Sequence, residues 1–267
     1  MSLAVAVLIV LGAAALVGLV FLFLDRVLTK PLVPEAARGG PTLIVAGTMF
    51  AVLLAFVTLA AFQAYDGAKA GAASEANAVL DMARTAALFP PPQRDQLRAD
   101  LVCYGRAVVD QEWPAMRAGH SSPLVDHWIG AYRGEFGRLA LTSPRERLAF
   151  QNLLDLASTR TAGRQQRLSE ATPSVPTPLW LALLFGGCIV VALQLTLAGS
   201  GVGMHALLVP GLAALIASGL LVVYGFDHPY QSGVGGIQPG AMRHTLLMMR
   251  DLEPNLPLRC GASGRPG

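Results

Sequence analysis

The side chains able to do chemistry are few in this 267-residue chain, and their spacing decides what they can do. Five histidines, His120, His127, His205, His228 and His244, include no pair three or four residues apart. A helical metal site needs such a pair, so no metal centre is expected. The three cysteines, Cys103, Cys188 and Cys260, are odd in number and lack metal-type spacing. They point to no zinc site and to no disulfide framework. Cys188 lies in an apolar run and reads as a small core residue. Glu75, Asp81, Asp110 and Glu112 are acids on helical stretches and are candidates for acid–base work. The same acids fit a solvated or salt-bridged helix face equally well in type, and such surface pairs are common and weak. Phosphate loops, dinucleotide fingerprints, nucleophile elbows and HExxH motifs are all absent from the sequence. The expectation is a protein that is not an enzyme and holds no cofactor.

The elements carrying these residues are mostly apolar. The chain is 53% hydrophobic and 14% charged, against roughly 25% charged in soluble proteins. No Asp, Glu, Lys or Arg falls between Met1 and Leu24, between Gly39 and Tyr65, or between Ala171 and Phe226. Uncharged runs of that length are read as membrane-spanning helices. Four spans follow, over about 3–24, 41–64, 179–198 and 204–226. The fold class is all-α and integral to a membrane, with a helical extramembrane domain. Residues 1–64 hold the first two spans, 65–177 the helical domain, 178–226 the last two spans and 227–267 a tail. The first span lacks a preceding Lys or Arg and is too long for a signal peptide, so it is expected to be retained. Net charge is +3, and the charged middle of the chain is nearly balanced, which leaves no footprint for nucleic acid. The lipid bilayer is the expected partner.

The helical domain divides at its prolines. Pro90, Pro91 and Pro92 stop the pattern that runs on from the second span. Helices are expected over 93–113 and 123–141, and a third from Ser143, whose Ser-Pro-Arg-Glu start offers a cap. The Ala- and Gly-rich stretch after Tyr65 suits either close helix packing or simple helix propensity. Gly199 to Gly203 reads as a tight hairpin. A short amphipathic helix is expected over 242–250, followed by a disordered Pro/Gly-rich end.

The span interiors carry hydroxyls and Gln194 but no acid or base. Proton-coupled carriers keep ionisable groups there, so a charge relay is disfavoured. An apolar constriction needs no charge. Phe50, Leu54, Thr58 and Phe62, each four apart on the second span, form one candidate pore stripe. Orientation is divided. Lys69, Arg160, Arg164, Arg167 and Arg243 flank the spans on the side of the helical domain, and Arg26, Lys30 and Arg38 on the other. Counted so, the central domain leans cytoplasmic, while the first span taken alone argues the opposite. The abundance of Arg over Lys suggests a GC-rich bacterial genome, and hence a multi-pass protein of the bacterial inner membrane.

Several segments resemble the bacterial bestrophin-like domain family, a membrane family without an assigned function. They are Phe62 to Ala68 with Tyr65 and Asp66, Glu75 to Ala78 with Asn77, Glu112-Trp113-Pro114, Arg164 to Leu168, Pro178 to Trp180, and Phe226 to Tyr230 with Asp227 and Pro229. The resemblance implies four spans around a helical domain, with these motif residues in structural roles. Through the family's label it points to bestrophins, pentameric anion channels whose second membrane helix lines the pore. The chain departs from them in lacking a long acidic calcium clasp. The expected function is therefore a homo-oligomeric passive anion pathway. The rival is a membrane-anchored interaction or regulatory module without transport.

Overall fold

The computed structural model describes residues 3–27, 36–197, 202–231, 233 and 235–267. Among these residues there are no strands, and the helices fall into two units. Residues 199–201 of the expected hairpin and residues 28–35 of the 25–41 loop lie outside the described residues, as do the side chains of His205 and Arg38.

The first unit contains α1 (Leu3–Val27), the part of α2 (Ala36–Thr85) up to Ala64, α7 (Thr177–Leu197) and α8 (Val202–Asp227). These four helices are long and apolar enough to cross a membrane. Only 6% of the first span is buried within the chain, so its leucines and valines need lipid around them. Small residues let the helices close up. Phe50 fills the space over Gly186 and Gly187 of α7, where an added Cβ on Gly186 would stand 3.1 Å from its ring. Leu54 fills the space over Gly219 of α8. Phe50, Val57, Ala61, Leu183, Ile216 and Val223 make the small core of this unit.

The second unit is the helical extramembrane domain. It holds α2 from Tyr65 onward, α3 (Pro91–Ala107), a π-type turn (Val108–Glu112), α4 (Trp113–Arg117), α5 (Pro123–Phe136), α6 (Pro144–Ser169) and α9 (Gly240–Leu252). Its core gathers Val79, Met82, Leu97, Leu101, Tyr104, Trp128, Tyr132 and Leu153. The cap at Ser143 forms as a full capping box with Glu146. Close packing explains the small residues after Tyr65. A Cβ on Gly71 would lie 2.8 Å from the Gly163 carbonyl, and one on Gly163 would lie 2.7 Å from the Glu75 nitrogen. Alanine at either place forces α2 and α6 apart.

Two expectations are corrected here. Cys103 and Cys260 form a disulfide, across a separation of 157 residues. Counting cysteines and inspecting local spacing cannot detect a pair that only the tertiary fold brings together. The segment after α9 is also ordered against the domain. Trp128 Nε1 donates to the Gly264 carbonyl at 2.7 Å, and Gly261 N donates to the Arg265 carbonyl at 3.0 Å. Gly264 has φ +76°, and a Cβ added there would overlap the Ala107 nitrogen, so no side chain fits. The Pro and Gly content here encodes tight turns rather than disorder.

Candidate functional site

The pore stripe of the sequence splits by environment. Phe50 is buried, Leu54 and Thr58 are half-buried, and Phe62 is exposed. Phe50 and Leu54 rest on the glycines of α7 and α8, and Phe62 meets Phe226 of α8 edge to face at 5.4 Å. Thr58 turns its hydroxyl back to the Leu54 carbonyl at 2.7 Å. The chain therefore uses this stripe for its own helix packing. A different stripe of α2 stays open: Val45, Met49, Val52, Phe56 and Leu59, alternately four and three apart, are all exposed.

In the helical domain the fold brings together motif residues from segments distant in sequence. Glu75 comes from α2, Glu112 from the end of the π-type turn, where such wide turns often serve function, and Trp113 from the start of α4. Arg167 of α6 reaches both acids. Its Nε donates to Glu75 Oε2 at 2.6 Å, and Nη2 donates to Glu75 Oε1 at 2.9 Å and to Glu112 Oε2 at 2.5 Å. Trp113 lies under the guanidinium, 5.1 Å from ring centre to Cζ. Arg164, one turn earlier, holds Glu112 Oε1 and also Asp126 at 2.7 Å. Tyr104 donates to Glu75 at 2.5 Å, and Tyr230 donates to the Arg167 carbonyl at 2.7 Å.

Glu75, Glu112 and Arg167 are almost wholly buried. Burial alone would push the Glu112 carboxyl up, yet the Arg167 and Arg164 guanidiniums beside it hold it below the usual range. Both oxygens of each glutamate accept hydrogen bonds from cations or a hydroxyl. The cluster thus clamps α2 and α6 to the π-type turn through charge-assisted hydrogen bonds. Asp81 pairs with Arg84 on an exposed face, and Asp110 is exposed. Among the described residues, no three His, Cys, Asp or Glu side chains form a metal-binding group.

The remaining motif residues are dispersed. Asp227, at the end of α8, accepts from Val175 N at 2.7 Å, from the Ser174 hydroxyl at 3.2 Å and from Trp180 Nε1 at 3.2 Å. It ties the start of α7 to the end of α8. Pro229 is buried and its carbonyl accepts from Ile237 N at 2.7 Å. Tyr65 packs on the domain core. Asp66 and Asn77 are exposed within the unbroken α2.

Sequence reasoning passed over Asp100, which is fully buried with neither oxygen hydrogen-bonded. Burial raises its carboxyl from 3.8 to about 6, with Arg259 of the tail opposing at 3.8 Å and Glu135 adding to the rise. A carboxyl raised on folding contributes stability below its unfolded pKa and loses it as pH climbs through the folded one. The domain should thus weaken between about pH 4 and pH 7. The rise corresponds to about 3 kcal/mol at most. Thermal unfolding of Asp100→Asn at pH 5 and pH 8 checks this: the variant should gain most at pH 8, and an equal effect at both values would contradict it.

A sequence profile described as the Bestrophin-like domain matches residues 7–242. Among solved structures, a bacterial bestrophin homologue from Klebsiella pneumoniae carrying a point mutation aligns with TM-score 0.66 at 14% identity. That alignment covers 93% of this chain and 98% of the other. The homologue phased with zinc aligns with TM-score 0.63 at 14% identity, over 96% of this chain and all of the other. At such identity the likeness is one of fold. No curated protein matches the chain.

Proposed function

Because the chain belongs to the bestrophin-like domain family, we propose that it assembles with copies of itself into a passive pathway for small anions across the bacterial cell membrane. The observation that carries this reading is the family match over residues 7–242, which reaches all four spans and takes in most of the helical domain. Span interiors free of acids and bases support passive conduction over ion-coupled transport. We assign the constriction to α2. Of its two apolar stripes, the one at Phe50, Leu54, Thr58 and Phe62 is already occupied within one chain, so the open stripe from Val45 to Leu59 is the face for the pathway. Light scattering on the purified protein in detergent tests the assembly: several copies per particle are expected, and a monomer would remove the reading.

Two observations support a helical domain outside the cytoplasm. Disulfides persist in oxidising compartments and are rare in the bacterial cytosol, and this domain holds Cys103–Cys260. The charge count also changes once the fold is considered. Arg160 and Arg167 are buried, and Arg164 is paired with Glu112 and Asp126, so none acts as a free flanking charge. Lys69 and Arg243 then count against Arg26, Lys30 and Arg38, and the balance favours a cytoplasmic short loop. In a Cys188→Ser background, an impermeant reductant added to intact spheroplasts should expose both remaining thiols to maleimide. Exposure only after lysis would reverse the orientation.

A further inference from the structure

The cleft between α5 and α6 in the helical domain combines unmatched positive charge with an apolar arm. One cavity of about 230 Å³ is lined by Asp126, Ile129, Arg133, Arg160, Arg164 and neighbours, where Arg164 is paired with Glu112 and Asp126, and no ion pair among the described residues matches Arg133 or Arg160. A second, of about 560 Å³, shares Arg133, Thr161 and Gln165 with the first and continues over Phe136, Leu154 and Ala157.

Arg160 makes this more than a surface groove. Its side chain is 2% exposed, yet among the described residues no carboxylate lies within ion-pair distance of it. Its guanidinium sits 5.4 Å from the Tyr104 ring centre and 5.7 Å from that of Tyr132. One Nη donates to the Thr161 hydroxyl at 2.8 Å, and the other reaches Tyr104 Oη only at 3.5 Å. The Nε–H is buried without a partner, and so is the hydroxyl of Tyr132. Buried donors are rarely left unmade, since each orphan costs about 1–3 kcal/mol and more when charged. The two other buried arginine charges nearby are matched by Glu75 and Glu112, and the remaining acid, Asp126, is more than half exposed. A bound anion would supply the missing acceptor and the missing charge together.

We propose that this cleft binds a small organic carboxylate, with its carboxylate at Arg133 and Arg160 and its apolar part along Phe136, Leu154 and Ala157. Ligand sites commonly have this make-up, a mostly apolar cavity with a few convergent polar groups. The apolar arm is the reason to choose an organic acid over a halide, which would use only the cationic end. The assignment concerns the helical domain alone and stands whether or not the protein conducts ions.

Benzoate is the probe, and its neutral isostere benzamide the control, titrated into full-length protein in nanodiscs with calorimetric or saturation-transfer readout. Benzoate should bind once per chain, at least tenfold more tightly than benzamide. Arg133→Gln, at the exposed rim, should weaken benzoate at least fivefold while leaving the thermal unfolding midpoint unchanged. Leu154→Glu, also exposed, should do the same by blocking the apolar arm with like charge. Arg160→Gln should abolish binding, but the rim variants decide the matter should that protein fail to fold. Equal binding of benzoate and benzamide, no benzoate binding, or benzoate affinity unaltered in both rim variants would overturn the proposal.

Discussion

Arg167→Met should lower the stability of the helical domain by about 3–5 kcal/mol, the range for removing one partner of a buried ion pair. The side chain is wholly buried and serves two carboxylates with three short hydrogen bonds. Removing it leaves Glu75 and Glu112 facing each other, with Arg164, Tyr104 and the Ser122 backbone N–H as the remaining donors. Methionine fills the volume, so the loss reports charge and hydrogen bonding rather than a cavity. A second variant separates the two. Arg167→Met combined with Glu75→Gln and Glu112→Gln removes the stranded charges and should recover a large part of the loss. Thermal unfolding of the purified proteins measures both. A loss below about 1 kcal/mol in the single variant would mean that the cluster behaves as an exposed pair.

Cys103→Ser should cost about 2–5 kcal/mol, because the bond closes a loop of more than a hundred residues in the unfolded chain. The effect should centre on the tail. Residues 253–267 are held by that bond, by Trp128 on the Gly264 carbonyl and by Arg106 on the Gly261 carbonyl. Limited proteolysis should clip the tail of Cys103→Ser while the rest of the domain survives. Reductant should reproduce the clipping in the natural sequence and add nothing in the variant. Identical digestion of the two proteins, with and without reductant, would show that the bond does not hold the tail.

The two kinds of information in the sequence explain what could be read from it. Membrane spans are legible because lipid imposes an uncharged run of about twenty residues, a local property. The start of α6 is legible for the same reason, since Ser143 and Glu146 satisfy each other within one turn. The clamp is not local. Arg167 lies 92 residues from Glu75 and 55 from Glu112, so type and spacing gave Glu75 and Glu112 only as acids on helices. Their place in the resembling motifs was the signal, though it named no partner. The same blindness placed Arg160, Arg164 and Arg167 among the membrane-flanking charges, where their number tilted the orientation. The open face of α2 was also hidden, because both of its apolar stripes satisfy helical periodicity and only packing on α7 and α8 tells them apart.

The pathway itself is tested most directly by chloride efflux from proteoliposomes loaded with the purified protein, under a potassium diffusion potential. Efflux above that of empty vesicles is expected, and Val52→Trp on the open face of α2 should reduce it while Leu54→Met leaves it intact. Vesicles that hold their chloride as well as empty ones, with the protein folded and inserted in both orientations, would contradict the account.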